Sequence, residues 1–400
     1  MNTDQPYLFI DIDDKNIIFS VIKYDEKMNY KIINSHRVDS AGVVNGKIFD
    51  IEKSTQIIKN CLNEIEEKVN HLFTNAIIII NPDKINCINV CGYKKLNGSQ
   101  VSKEDVTYIL NDSKKIIALN EDKSSLVHLF NSSFSIDSDN LENLPLGLFG
   151  EFYNQNMTFL LIDENTLKNI KSLLKNCGIN SERIVLKHFV EGINLLQNKN
   201  IDKNFTIIRI SNERSSLAVF KNKSYVYSEE FNFGLNLLIN DISKLCSLKS
   251  DEAKTILSEL NFDEDIILNE NNILDKKYFI NSPYRKIKLK LVYDIIEARL
   301  DELFEIFYKK NTNLIYFKKT NKNIYFYIDS LEMLKNIKFI LKKKQTSDLQ
   351  IIFNEPYGEK LISASLGAAE LIGKGWEKEA IPITQSKKSI FARLFSTIFN

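Results

Sequence analysis

The chain has 400 residues, more than one hydrophobic core usually serves, so two or more domains are expected. Apolar residues reach 44%, which fits a folded, soluble body. The charge is balanced, with 53 Lys and Arg against 52 Asp and Glu, which excludes a surface built throughout to hold nucleic acid, a local basic patch aside.

Residues 7–22 (YLFIDIDDKNIIFSVI) place two apolar runs around a polar turn at Asp13–Asn16, the pattern of a β-hairpin. Tyr30–His36 can add a third strand. SAGVVNGKIFDIE (40–52) supplies two glycines for turns and leads into a helix. In that helix Ile57, Ile58, Cys61, Leu62, Ile65 and Val69 follow a core-facing period. AIIIIN (76–81) is a continuous apolar strand, the kind buried on both faces of a parallel sheet. Together these elements predict an α/β layer.

Residues 83–160 change character. KINCINVCGYKKL reads as a strand, Ser102 followed by Glu104 and Asp105 caps a helix over 103–118, and SSLVHLFNSSFSI and MTFLLID are further strands. The stretch reads as a compact α+β insert. The α/β pattern resumes with a helix over 164–176, stopped at Cys177–Gly178, a strand over 183–187 and a helix over 188–198.

About 200 residues after the first hairpin, FTIIRISNERSSLAVF (205–220) repeats it, so two related α/β halves are expected. A strand over 224–230 follows, then Gly234, helices over 235–246 and 250–260, and an irregular polar stretch over 261–285. A long helix covers 287–309, with Leu291, Ile295, Leu303, Phe304 and Phe307 among its apolar positions. Strands over 313–318 and 323–328, a helix over 330–343 and a strand over 349–353 complete the half. PYGEKLISASLGAAELIGKG (356–375) is a small-residue-rich helix, 376–386 a linker and 387–400 (KKSIFARLFSTIFN) a tail.

The five cysteines, Cys61, Cys87, Cys91, Cys177 and Cys246, include no C-x-x-C pair, and the four histidines are scattered. Buried thiols in a reducing compartment are expected, not a metal site. The polar N-terminus and the lack of a bilayer-length apolar run predict a cytoplasmic protein.

Several segments, in order, carry a resemblance. SAGVVNGKIFDIE, VSKEDVTYIL, KNCGINSERIVL, IIEARLDELFEIF and SLGAAEL resemble segments of the bacterial cell-division FtsA family, within the actin/Hsp70/sugar-kinase superfamily. The resemblance implies an actin-like, two-lobed α/β fold with an FtsA-type 1C insert and a C-terminal amphipathic helix. It assigns 1–82 and 161–203 to subdomain 1A, 83–160 to 1C, 204–235 and 312–355 to 2A, and 236–311 to 2B. Residues 356–375 become the closing helix of 1A, 376–386 a linker and 387–400 a membrane-targeting helix.

In this superfamily two Gly-rich hairpin turns clamp nucleotide phosphates through backbone N–H groups, and a third Gly-rich loop holds the adenosine. The first turn here reads Asp11-Ile12-Asp13-Asp14, where the family pattern is D-I-G-T. The second reads Arg209-Ile210-Ser211-Asn212-Glu213-Arg214, with Arg209 where an acid is expected, and no glycine stands between Gly234 and Gly358. One reading is an altered pocket in which Asp11 and Asp13 hold Mg²⁺ and Arg209 or Arg214, with Gly234, meets ATP. The other is a pair of ordinary polar turns on an inherited fold, with no catalytic residue and no cofactor.

On a helical wheel of the tail, Ile390, Phe391, Leu394, Phe395, Ile398 and Phe399 fill one half, opposite Arg393, after Lys387 and Lys388. That is the composition of a helix lying in an anionic leaflet. The resemblance implies that a C-terminal peptide of the tubulin-like protein FtsZ binds subdomain 2B. Lys286, Lys288, Lys290 and Arg299 are the basic candidates for it. It further implies later cell-division partners on 1C, self-association into actin-like filaments, and a peripheral position on the cytoplasmic face of the inner membrane at the division site. The expected function is a non-catalytic scaffold tethering FtsZ filaments there. The alternatives are an actin-like ATPase or kinase with an unusual pocket, and an actin-like adaptor of another envelope machine, such as PilM.

Overall fold

The opening hairpin forms as predicted, with β1 (Tyr7–Ile12) and β2 (Asn16–Tyr24) antiparallel and Ile12 opposite Ile17. The computed structural model describes residues 5–197, 200–260, 262, 271–354 and 362–380. The chain divides into two units. The first comprises Met1–Lys203, Phe220–Ser228 and Leu361–Asn400, and the second Asn204–Val219 and Glu229–Lys360.

In the first unit the hairpin continues into β3 (Tyr30–Asp39), longer than the predicted strand because it follows β2 through to Asp39 opposite Asn16. The short pair β4 (Val43–Val44) and β5 (Lys47–Ile48) turns on the two predicted glycines, Gly42 and Gly46, both at positive φ. α1 (Ile51–Val69) starts at Asp50, whose carboxylate accepts the Lys53 N–H, and buries Ile58, Cys61, Leu62 and Ile65. β6 (Asn75–Ile80) is fully buried over Ile77–Ile79, as its unbroken apolar run requires, and pairs parallel with β1.

The insert builds its own antiparallel sheet. Its strands are β7 (Asn86–Lys95), β8 (Ser124–Ile136), β9 (Asp139–Leu141) and β10 (Phe152–Asp163), in the order β7-β10-β8-β9. α2 (Lys103–Asn120) covers one face, sharing a core with Phe134, Tyr153, Met157 and Phe159 through Val106, Ile109 and Leu110. It begins with a reciprocal capping box: Asp105 N–H donates to Ser102 Oγ and Ser102 N–H to Asp105 Oδ2. One expectation fails here. Cys87 is half-buried and Cys91 exposed, because their shared face of β7 looks away from the core that Ile88 and Val90 join. Cys61, Cys177 and Cys246 are buried.

α3 (Glu164–Asn176), β11 (Asn180–Leu186) and α4 (Lys187–Leu196) follow, and the main sheet reads β11-β6-β1-β2-β3. The echo hairpin is β12 (Phe205–Ile210) and β13 (Ser215–Lys221), extended by β14 (Ser224–Phe231). α5 (Asn236–Leu245), α6 (Ser250–Glu259) and α7 (Leu289–Phe304) come next, α7 widening into a π-helical turn at Glu305–Lys309.

The strand expected over 313–318 is not one. Thr312–Leu314 is a 3-10 turn and α8 (Ile315–Lys318) a single helical turn. Only Leu314 of the apolar run is buried, while Ile315 and Tyr316 are 56% and 87% exposed, so the run has no sheet to join. β15 (Asn323–Ile328), α9 (Leu331–Lys342) and β16 (Gln350–Asn354) complete the unit.

The second main sheet reads β14-β13-β12-β15-β16, with β12, β15 and β16 parallel. Both main sheets are thus a three-strand meander whose first strand pairs parallel with a later strand and then another. The repeat expected from the two hairpins extends to five strands in each half. The closing helix α10 (Ser363–Lys374) packs on α4 through small residues, with Gly367 against the Val190 carbonyl, where a Cβ would lie at 1.7 Å. The predicted linker departs from expectation at its start. Residues 376–380 are docked, with Glu379 2% and Ala380 0% exposed. The tail set Lys387, Lys388, Ile390, Phe391, Arg393, Leu394, Phe395, Ile398 and Phe399 lies outside the described residues.

Candidate functional site

The first turn is closed by Asp13 N–H donating to the Asn16 carbonyl at 3.1 Å. β1 brings Asp11 up to it, and β11 ends on the far side of β6, two strands from β1, where Lys187 starts α4. Lys187 Nζ lies 3.0 Å from Asp11 Oδ2 and 2.7 Å from Asp13 Oδ2. Asp11 and Lys187 are 3% and 7% exposed. A cation in the first helical turn opposes the helix dipole, so the two carboxylates supply its stabilisation. Asp14 completes the turn: its Oδ1 accepts the Gly46 N–H at 2.6 Å and ties β1–β2 to the β4–β5 pair.

The second turn repeats the closure, with Ser211 N–H donating to the Arg214 carbonyl at 2.9 Å. Arg209, at the end of β12, pairs with Asp329 at 2.5 Å, just past parallel β15, and its guanidinium lies 5.0 Å from the Tyr327 ring centroid. The Ser211 hydroxyl donates to the other Asp329 oxygen. Arg214 is buried in the same turn. Gly234 has a steric reason to be glycine: a Cβ would sit 2.1 Å from the Ser211 carbonyl oxygen. That approach lets Leu235 and Asn236 N–H donate to the Ser211 and Asn212 carbonyls, each at 2.9 Å.

Neither turn fits the group expected of it. Mg²⁺ needs carboxylate oxygens as ligands, and at the first turn an ammonium already lies within hydrogen-bond distance of both acids. A phosphate at a helix start needs the first N–H groups, and at the second turn two of them are taken by the turn's own carbonyls. Sequence reasoning found Asp11, Asp13 and Arg209 but missed the partner that matters for the first turn. Lys187 belongs to no motif, and its one signal is a cation at the head of a largely apolar helix, one turn before Glu191.

The basic candidates of the second unit separate into two kinds. Lys286 and Lys288 are exposed on the approach to α7, while Lys290 pairs with Asp294 one turn on, at 3.1 Å. Arg299 is a half-buried strut that also pairs with Glu302. Its Nε and Nη2 reach the two oxygens of Asp241 on α5 at 2.5 and 3.1 Å, and the Asp241 carboxylate raises the guanidinium pKa further. Among the described residues no group of His, Cys, Asp and Glu could hold a metal ion, and no helix is long and apolar enough to cross a membrane.

No family model matches the chain. It is similar to the cell division protein FtsA of Buchnera aphidicola subsp. Acyrthosiphon pisum, 21% identical over 278 residues, covering 70% of this chain and 66% of that protein. To the FtsA of Neisseria meningitidis serogroup B it is 21% identical over 309 residues, covering 76% and 74%. To the Escherichia coli K12 FtsA it is 17% identical over 275 residues, covering 69% and 65%. The match thus spans about two thirds of the length of these relatives.

Among solved structures, a chain of the PilM-PilN type IV pilus biogenesis complex superposes with a TM-score of 0.56 at 10% identity, covering 92% of this chain and 96% of its own. Diol dehydratase-reactivating factor in nucleotide-free form gives 0.50 at 8% identity, covering 90% and 98%. The structural likeness speaks to the fold and the sequence likeness to descent: with one sheet topology in both halves, the chain is an actin-like-fold homologue of the cell-division protein FtsA.

Proposed function

We propose that this chain is a non-catalytic scaffold of bacterial cell division, tethering FtsZ filaments to the cytoplasmic face of the inner membrane. The observation that carries the non-catalytic part is the pair of resident counterions. Lys187 neutralises the acids of the first turn, and Asp329 neutralises the arginine of the second. The kinship with FtsA proteins supports the division role, and the amphipathic sequence of 387–400 supports the membrane role.

In this reading the sheet-and-helix insert of the first unit is subdomain 1C, the surface for later division proteins. The FtsZ peptide, partly acidic, meets Lys286 and Lys288 on the second unit, and Arg299 serves the site only by bracing α7 on α5. Self-association into filaments would multiply weak individual tails into firm attachment.

A fluorescent fusion tests the role in cells. Mid-cell rings that follow FtsZ are expected, and a diffuse or polar pattern would remove the division reading. Polar foci instead would favour an adaptor of another envelope machine, a reading the fold shares with its PilM neighbour. The membrane part is tested separately with anionic vesicles: if the chain lacking 387–400 co-sediments as well as the full chain, the tail is no anchor.

A further inference from the structure

The segment WEKEA, read from sequence as the start of a linker, is held in the first unit by every residue. Trp376 Nε1 donates to the Lys223 carbonyl at 2.9 Å, and Glu377 pairs with Lys223 at 2.9 Å. Lys378 Nζ donates to the Glu142 carbonyl at 2.7 Å. On the backbone, Asn131 N–H donates to the Lys378 carbonyl and Ala380 N–H to the Leu129 carbonyl, at 2.9 and 2.8 Å. Glu379 therefore sits opposite Phe130 as a one-residue antiparallel addition to β8.

The centre of this docking is a carboxylate in a dry site. Glu379 Oε1 lies 2.5 Å from His128 Nδ1 and is ion-paired with Arg183 on β11, and all three side chains are at most 2% exposed. Leu186 N–H donates to His128 Nε2 at 3.1 Å, which leaves Nδ1 as the ring's donor to Glu379. The His128 ring also packs edge-on against Phe189, at 4.8 Å between centroids. Arg183, His128 and the open edge of β8 thus make a site whose two donors and backbone groups are complementary to one extended residue with an acidic side chain.

We propose that this is an acid-reading edge site on the first unit, that its ligand class is an extended segment bearing a carboxylate, and that the resident ligand is the chain's own strap, Trp376–Ala380. Docking of the strap covers the β8 edge at Leu129–Asn131. Undocking it opens that edge, so the strap is a cooperative element of its own with Glu379 as its latch. The inference does not depend on the proposed division role.

Amide hydrogen exchange on the full chain tests it. In Glu379→Gln the Asn131 and Ala380 amides are expected to exchange about tenfold to a hundredfold faster, while amides of β1 and β6 stay unchanged. Unchanged protection at Asn131 and Ala380 would overturn the latch. A uniform loss through the unit would make Glu379 an ordinary core residue and overturn it equally. If that variant does not fold, the wild-type chain decides in a low-denaturant series. The strap amides opening in a step before the β8–β10 amides supports the proposal, and a single joint opening refutes it.

Discussion

Lys187 and Asp13 lie 174 positions apart in sequence and 2.7 Å apart in the fold. The contact puts a fixed cation against the acids of the first turn, the two carboxylates that the sequence offers as metal ligands. It turns a candidate binding loop into a closed ion cluster.

Removing the cation should expose what the cluster replaces. Lys187→Ala leaves two acids in a largely buried site, and breaking a buried pair in this way costs about 3–5 kcal/mol. The thermal midpoint should fall well below that of the wild-type chain and recover partly with Mg²⁺ or Mn²⁺. Wild type should show no such metal-dependent rise. A Lys187→Ala variant as stable as wild type would mean the ion cluster is incidental.

The second turn makes a matching prediction through a double-mutant cycle. Arg209→Met and Asp329→Asn each strand a partner, whereas the double variant removes both charges. The pair should therefore show a coupling of about 0.5–3 kcal/mol in unfolding free energy. Additive losses would assign Arg209 to other contacts.

Glu252 sets a pH dependence in the second unit. Burial would raise its carboxyl, but the Ser282 hydroxyl and the N–H groups of Asn281, Lys249 and Ser282 outweigh burial and hold it at about 2, against 4.5 for an ordinary glutamate. With the folded value below the unfolded one, its stabilisation is complete above about 4.5 and is lost as pH falls toward 2. The carboxyl carbon shift of Glu252 should titrate near that lower value. A midpoint near 4.5 would show that the 281–282 segment is not held by it.

Much of the fold was legible because its signals are local. The two hairpins, the Ser102–Asp105 cap and the isoleucine strand are each written in a few consecutive residues. The misreadings share one cause, the absence of local information about burial. LIYF at 314–317 has a strand's composition, but no neighbouring strand receives it, and it winds into a turn with Tyr316 outside. WEKEA has a linker's composition, yet its second glutamate, Glu379, meets an arginine and a histidine contributed by two distant strands. At the candidate site the lost glycines and reversed charge could be read directly. The partners that satisfy those charges could not, since pairing across the sheet is a product of topology.

Binding of an acidic FtsZ-tail peptide separates surface groups from struts. Lys286→Glu with Lys288→Glu should weaken binding strongly, and Lys286→Glu alone should weaken it without moving the melting temperature, because that side chain is exposed. Arg299→Ala should instead lower the melting temperature by releasing Asp241, and weaken binding only in proportion. Peptide affinity unchanged by both lysine reversals would remove this face from the site.

Equilibrium titration of the full chain with ATP and magnesium addresses the central claim most directly. With Lys187 and Asp329 as resident counterions, no saturable binding tighter than about 1 mM is expected. Saturable binding in the roughly micromolar range, abolished by Arg209→Met, would contradict the account.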